Sequence, residues 1–309
     1  MATNTYTVKI DALAVPKLKA ICEERGFEFG EKQWALWHAS KKQATGGGVV
    51  NVTVYEKGPK VLIQGKGTED FVKFILEPEV LGEAKLGNEE VLMPEMFEPH
   101  FGVDESGKGD FFGPLVIAGA YVNREIAREL LDKGVMDSKR ISSAAKIKKL
   151  ANIIRGISGL KWEVISLKPE KYNELYTKFG NLNRLLAWGH AKVIASLAEK
   201  EPNCPSALSD QFARKELLEG MLSREQAAAH IELTQRTKGE SDVAVAAASI
   251  LAREAFVSWI ERASQAGGVQ MPLGAGDNVI QAAKEMKSTH GMEMMPKVAK
   301  MHFKTAKLV

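Results

Sequence analysis

Two apolar runs decide what this chain can fold into. "HFGVDES" (100–106) reads as a buried strand that ends in acids, and "GPLVIAGAYV" (113–122) as a second strand, apolar along nearly its whole length. Strands of that kind belong inside a sheet covered by helices. The segments that follow supply the cover. A basic helix is expected over 142–155, then the strand "KWEVISL" and the long amphipathic helix "NLNRLLAWGHAKVIASLAEKE". Short strands follow in "SALSD" and "AAHIELTQ", and "SDVAVAAASILAREAFVSWIERA" is a small-residue helix that must pack closely on its neighbour. Residues 100–309 therefore read as a mixed α/β domain around a central sheet.

Residues 1–80 carry a different pattern. "TYTVKI" alternates as a strand does, and "VPKLKAICEERGF" has helical spacing with Gly26 as its stop. "KQWALWHA" and "VVNVTVYEKGPKVLIQG" are β-rich, with a hairpin turn at "KGPK", and "TEDFVKFILEPEV" closes the unit as a helix capped by Thr68. This order predicts a small α+β domain, an antiparallel sheet backed by helices. Residues 81–99 are acidic, punctuated by Gly and Pro and without a period, and read as a linker.

The 309 residues are 45% hydrophobic and carry a net charge of +3. That is enough for two cores, and it permits a polyanionic partner without requiring one. Lysine and arginine gather in "MDSKRISSAAKIKKL" (136–150) and in the tail "MPKVAKMHFKTAKLV" (295–309), where solvated helix faces are the plain explanation. Cys22 and Cys204 form no CxxC or Cys/His cluster and read as buried apolar residues. With no signal-like N-terminus and no charge-free apolar stretch long enough to cross a bilayer, a cytoplasmic protein is expected. Nothing resembles a coiled-coil seam, so a monomer is the expectation.

"GVDESGKGD" (102–110) admits two readings. Gly102, Gly107 and Lys108 fit the start of a nucleotide-binding G-x-x-x-x-G-K loop, but Gly109 stands where a magnesium-binding hydroxyl is needed. Asp104 and Glu105 would also repel phosphate, and the following "DFFGPLVIAG" reads as turn and strand rather than helix. The second reading is a metal site. Adjacent strand residues face opposite ways, so the two acids would meet only at a frayed strand end. Hard oxygens there suit Mg2+ or Mn2+. Asp210 ends "SALSD" and could instead cap the helix "QFARKELLEG", while Glu240 or Asp242 could serve the N-terminus of the small-residue helix. Together, these acids at element ends make a pattern that two-metal phosphodiester chemistry requires.

At this density of motifs the chain resembles a known family. "GVDESGKGDFFGPLVIAGAYV", "DSK" at 137–139, "NLNRLLAWGHAKVI", "LSDQFA", "AVAAASILAREAF" and "HGMEMMPKVAKMHFKTAKL" occur in the order found in bacterial type 2 ribonucleases H. The Gly-Lys-Gly at 107–109 is similar to the ribonuclease HIII form, where ribonuclease HII carries Gly-Arg-Gly. The resemblance implies a ribonuclease H-like catalytic domain with a central mixed sheet over 100–309, preceded by a TATA-box-binding-protein-like substrate-binding domain over 1–80. It implies endonucleolytic cleavage of the RNA strand of an RNA/DNA hybrid, leaving 5′-phosphate and 3′-hydroxyl ends, with two divalent metal ions, Mg2+ or Mn2+. Asp104, Glu105, Asp210 and Glu240 would be both catalytic and metal-binding. The spacing from the fourth acid to the Ala-Ala-Ala-Ser run is about one residue shorter than the family's, so Asp242 is a rival for that place. Gly107, Lys108 and Gly109 would meet the 2′-hydroxyl, which distinguishes RNA from DNA, with Ser106 adjacent on the substrate side, and Lys139 and Ser249 would lie near the substrate.

His190 and His302, in apolar surroundings, read as structural. Trp34 and Trp37 are expected on opposite sides of a strand. Lysines in "SKKQ" (40–43) and "EKGPK" (56–60) are expected in loops that grip the hybrid. Two rival functions remain: incision at single ribonucleotides in DNA, as in ribonuclease HII, and hybrid binding without catalysis, against which the intact acid set argues.

Overall fold

The computed structural model describes residues 4–42, 48–56, 58–82, 93–135, 143–237 and 239–309, with Glu240 described by its backbone alone. It divides into two compact units, Met1–Glu95 and Met96–Val309.

The first unit runs β1 (Thr5–Lys9), α1 (Ala14–Glu24), β2 (Glu28–Gly30), β3 (Ala35–Lys42), β4 (Val49–Tyr55), β5 (Lys60–Gln64) and α2 (Thr68–Phe71), which continues as a π-helix, Val72–Leu81. The strands form one antiparallel sheet in the order β1-β5-β4-β3-β2. Alternation builds its core: Val50, Val52, Val54, Val61 and Ile63 point to Leu18 and Cys22 of α1 and to Phe71, Val72 and Leu76. Apart from the buried Thr53, the intervening residues, among them Lys9, Asn51, Tyr55, Lys60 and Gln64, are half-buried or exposed.

Several expectations change here. The helix cap is Gly67, and the Thr68 hydroxyl instead donates to the Gly65 carbonyl at 2.7 Å. The helix widens beyond Phe71 because Pro78 has no N–H to give an ordinary helical bond. Trp34 precedes β3 with φ +65° and is 81% exposed, whereas Trp37 is half-buried with its ring 5.7 Å from Phe29, so they are not strand residues on opposite sides. Lys41 and Lys42 end β3 rather than lie in a loop, and the Lys41 amine donates to the Arg25 carbonyl. Gln43 and Lys57 lie outside the described residues.

A 3-10 turn, Pro94–Phe97, spans the boundary between the units and buries Met96 and Phe97, so the end of the acidic segment is packed rather than extended. The elements that follow are β6 (His100–Ser106), β7 (Leu115–Val122), α3 (Arg124–Asp132), α4 (Ala144–Gly156), β8 (Trp162–Leu167), α5 (Pro169–Phe179) and α6 (Leu182–Lys200). The chain continues through β9 (Ser206–Asp210), α7 (Lys215–Leu222), β10 (Glu232–Arg236), α8 (Val243–Gly267), α9 (Asp277–His290) and α10 (Met295–Val298). The sheet order is β10-β9-β6-β7-β8, mixed as expected: β10, β9 and β6 run parallel, and β7 and β8 antiparallel to their neighbours.

Helices cover both faces. Glycine lets α8 reach the sheet, because a Cβ on Gly102 would lie 2.2 Å from the Ala244 carbonyl carbon. The small residues that open α8 are the other half of that contact, and α6 covers the opposite face. By length and mean hydropathy α8 passes as a membrane span, although Arg253, Glu254, Glu261 and Arg262 interrupt it, so it is not the charge-free stretch whose absence was expected. It is a core helix, with 67% of its apolar window buried.

Candidate active site

The ladder between β6 and β9 ends at Val103 and Ser209, while that between β6 and β7 continues to Ser106. The chain opens a cleft of about 320 Å3 beside the end of β6, lined by Asp104, Glu105, Asp210, the 106–110 turn, Ser249 and Arg253. It sits at the C-terminal ends of parallel strands, where open α/β sheets collect their ligands. The strand is not frayed at Asp104 and Glu105, as the sequence suggested. Asp104 faces α8, where the Ser249 hydroxyl bonds to it, and Glu105 faces α6. Both reach the cleft because β9 has parted from β6.

Charge is unevenly settled in this cleft. Burial, reinforced by the negative charge of Glu105, pushes the Asp104 carboxyl up to about 7 despite the Ser249 bond and a 2.8 Å bond from the Glu105 N–H. Burial also works against Glu105, but His190 and Lys108 outweigh it and hold that carboxyl below its usual value. His190 Nε2 lies 3.2 Å from Glu105 Oε2, and the Lys108 ammonium 3.3 Å from Oε1. Asp210 accepts a 2.9 Å bond from the Gly239 N–H, which ties β9 to the 3-10 turn Gly239–Ser241 that carries Glu240. It does not cap α7, whose cap is Arg214. These hard carboxylate oxygens, one group raised by burial and by its neighbour's negative charge, suit a divalent cation. Among the described residues no three acids or imidazoles already converge at ligand spacing.

Asp242 is committed elsewhere. It caps α8 by accepting from the N–H groups of Ala244 and Val245 and is 1% exposed. Both its carboxylate oxygens lie 3.1 Å from His100 Nε2. A carboxylate already engaged by two N–H groups and a histidine is the weaker candidate for a metal, and Glu240 stays the expected fourth acid. Lys139 lies outside the described residues.

The glycine turn behaves differently at its two glycines. Gly107 has φ +87°, and a Cβ there would lie 2.2 Å from the Pro114 carbonyl oxygen, so the fold itself requires glycine. At Gly109 a Cβ would meet nothing within 4 Å. Its bareness serves no internal packing.

A family model described as Ribonuclease HII matches residues 101–306. A ribonuclease HIII of Chlamydia pneumoniae is 44% identical over 97% of this chain and 96% of its own length. The chain belongs to the type 2 ribonuclease H family, on its ribonuclease HIII branch. A second relative, the ribonuclease HIII of Chlamydia muridarum, is 47% identical over 83% of this chain and 82% of its own length. Among solved structures, Bst-RNase HIII in complex with Mn2+ superposes with a TM-score of 0.66 at 28% identity, covering 98% of this chain and 97% of that one. The ribonuclease H-like expectation therefore holds, with residues 101–306 matched, as does the branch named by the Gly-Lys-Gly motif.

Three residues of the site were not legible as such. His190 is wholly buried and touches Glu105 directly, with Ser209 3.1 Å from its other nitrogen, so it is no bystander in the core. Phe212 lies against the buried His190 ring at 4.7 Å and beneath the part-exposed Lys108 ammonium at 5.8 Å. The available signal was a histidine on the apolar face of α6, which a structural histidine shares.

Proposed function

We propose that this ribonuclease H cleaves the RNA strand of RNA/DNA hybrids by metal-dependent hydrolysis, leaving 5′-phosphate and 3′-hydroxyl ends, with Asp104, Glu105, Asp210 and Glu240 as its catalytic acids. The observation that carries this reading is the cleft in which two strand-end acid groups, Asp104–Glu105 and Asp210, flank a glycine turn. Divalent ions, Mg2+ or Mn2+, supply activation of the attacking water and neutralisation of the leaving 3′ oxygen when bound there. The four acids hold them. His190 and Ser249 orient Glu105 and Asp104, so that each carboxylate presents a fixed oxygen to the cleft.

The turn selects the substrate. Gly109, open on its Cβ side, lets backbone groups approach a ribose closely enough to sense its 2′-hydroxyl, with Ser106 and Gly107 setting the path of the chain and Lys108 beside the phosphate. Lys139 and Ser249 complete the substrate side. We read residues 1–80 as a TATA-box-binding-protein-like domain, residues 81–99 as its linker, and the sheet's other face with its lysines as the surface that grips the hybrid's backbone. The enzyme acts as a cytoplasmic monomer. Two buried free thiols, Cys22 and Cys204, suit that reducing compartment.

Asp104→Asn, Asp210→Asn and Glu240→Gln test the assignment. Each should lower the rate of hybrid cleavage by about a thousandfold or more while the protein still binds hybrid. A variant that keeps a near-wild-type rate with a normal metal requirement removes its residue from the site.

A further inference from the structure

Lys300 belongs to the basic tail, yet it is fully buried, with 0% of its surface exposed. Its ammonium nitrogen donates to the carbonyls of Asp110 at 2.9 Å and Phe112 at 3.3 Å and lies 5.7 and 5.9 Å from the ring centres of Tyr172 and Phe256. Burial pushes its pKa down to about 7, against an opposing pull from Asp110. An amine in such a place is costly to retain, and nothing in the acid chemistry of the cleft calls for it.

Both carbonyls belong to the strip of chain that leaves the glycine turn. Backbone bonds hold the same strip: the Lys300 N–H donates to the Phe111 carbonyl at 2.8 Å, and the Gly113 N–H to the Val298 carbonyl at 2.9 Å. Its outer end is tied to Gly274, whose N–H donates to Asp110 Oδ1 at 2.6 Å and whose carbonyl accepts from the Phe111 N–H at 2.8 Å. Phe256 links the amine to the turn itself, since a Cβ on Gly107 would lie 2.9 Å from that ring. One residue of the C-terminal segment thus grips the exit of the turn through its side chain and its backbone.

We infer that Lys300 is a positioning residue for the 107–109 turn: by anchoring the carbonyls of Asp110 and Phe112 it fixes where the turn's backbone meets a ribose, and so sets the preference for hybrid over DNA duplex. It acts through the turn and touches neither substrate nor acids. The inference rests on the proposed hybrid-cleaving reading of the cleft.

The test uses the full chain. Wild type and Lys300→Met, which keeps length and apolar bulk without the donor, are titrated in chelator with a labelled RNA/DNA hybrid and with a DNA duplex of the same sequence. The expected result is a roughly tenfold loss of hybrid affinity in Lys300→Met, duplex affinity within twofold of wild type, and a thermal midpoint no lower than wild type. Hybrid affinity within twofold of wild type overturns the inference. So does an equal loss on hybrid and duplex, which would make Lys300 a support of the fold alone. If Lys300→Met does not fold, Lys300→Gln, which keeps an uncharged N–H donor, is compared on the same hybrid-to-duplex ratio. Wild type that neither prefers nor cuts the hybrid would sink the underlying reading instead, a failure visible before any variant is made.

Discussion

At the scale of single residues, the two outer positions of Gly-Lys-Gly should separate fold from function. Gly107→Ala combines φ +87° with a backbone clash and should destabilise the second unit by about 2 kcal/mol or more. Gly109→Ala meets no neighbour and should leave stability within about 0.5 kcal/mol of wild type. Its kcat/KM on hybrid should nonetheless fall at least tenfold, because the added methyl stands where the sugar must come. Denaturant unfolding and steady-state cleavage of the two variants decide this, and wild-type cleavage by Gly109→Ala would mean that the turn does not approach the ribose. Asp242 offers the converse case. Asp242→Ala removes two cap bonds and leaves His100 buried without its partner, a loss of about 3 kcal/mol, with no change in the metal concentration needed for cleavage. A strong shift in metal requirement would return Asp242 to the site. Asp104, Glu105 and Asp210 could be singled out because acids gather at several element ends of one domain and the surrounding motifs resemble the family's, and the structure brings these three to one cleft. His190 could not, because one buried histidine leaves the same trace in sequence whether it supports a core or a carboxylate.

At the scale of elements, the strands and helices of the second unit were readable because they are long, strongly patterned and packed through small residues, as Gly102 against Ala244 illustrates. What escaped were features set by partners distant in sequence. The parting of β9 from β6 beyond Val103 depends on no local pattern, and it allows neighbouring residues on opposite faces of one strand to share a cleft. Lys300 escaped in the same way, since a lysine in a basic tail gives no hint that two carbonyls some 190 residues earlier await it. Its burial has a pH signature. The folded pKa is lowered to about 7 from 10.5, so between those values the unfolded chain holds more protons than the folded one, and stability rises with pH. The penalty of the buried charge is fully present below pH 7 and recedes above it, with a slope of at most about 1.4 kcal/mol per pH unit. Urea unfolding of wild type and Lys300→Met at pH 6 to 9 should show the two stabilities converging as pH rises, the variant being ahead at pH 6. Parallel curves would mean that the folded amine stays charged throughout this range, as it does in the unfolded chain.

At the scale of the whole molecule, the sequence separates an α+β unit from an α/β unit by a change in pattern, and the coordinates divide between Glu95 and Met96. The passage between the units was the hardest part to read, because Pro78 converts an expected helix into a π-helix and Met96 and Phe97, which open the second unit, are buried within a stretch that looks like linker. If the first unit grips the hybrid backbone, removing residues 1–95 should raise KM for hybrid at least tenfold and lower kcat less than threefold, since its contacts favour bound substrate and transition state alike. Unchanged KM in the truncated protein would leave substrate binding to the second unit alone. The central claim, metal-dependent cutting of RNA paired with DNA, is tested most directly by one assay. An end-labelled RNA/DNA hybrid and a DNA duplex containing one ribonucleotide are incubated with the enzyme at saturating Mg2+, each with and without chelator. The account predicts cleavage of the hybrid, abolished by chelator, with 5′-phosphate products and little incision of the single-ribonucleotide duplex. Equal incision of both would assign the site the wider substrate range of ribonuclease HII, and a hybrid that is bound but left intact would contradict the claim outright.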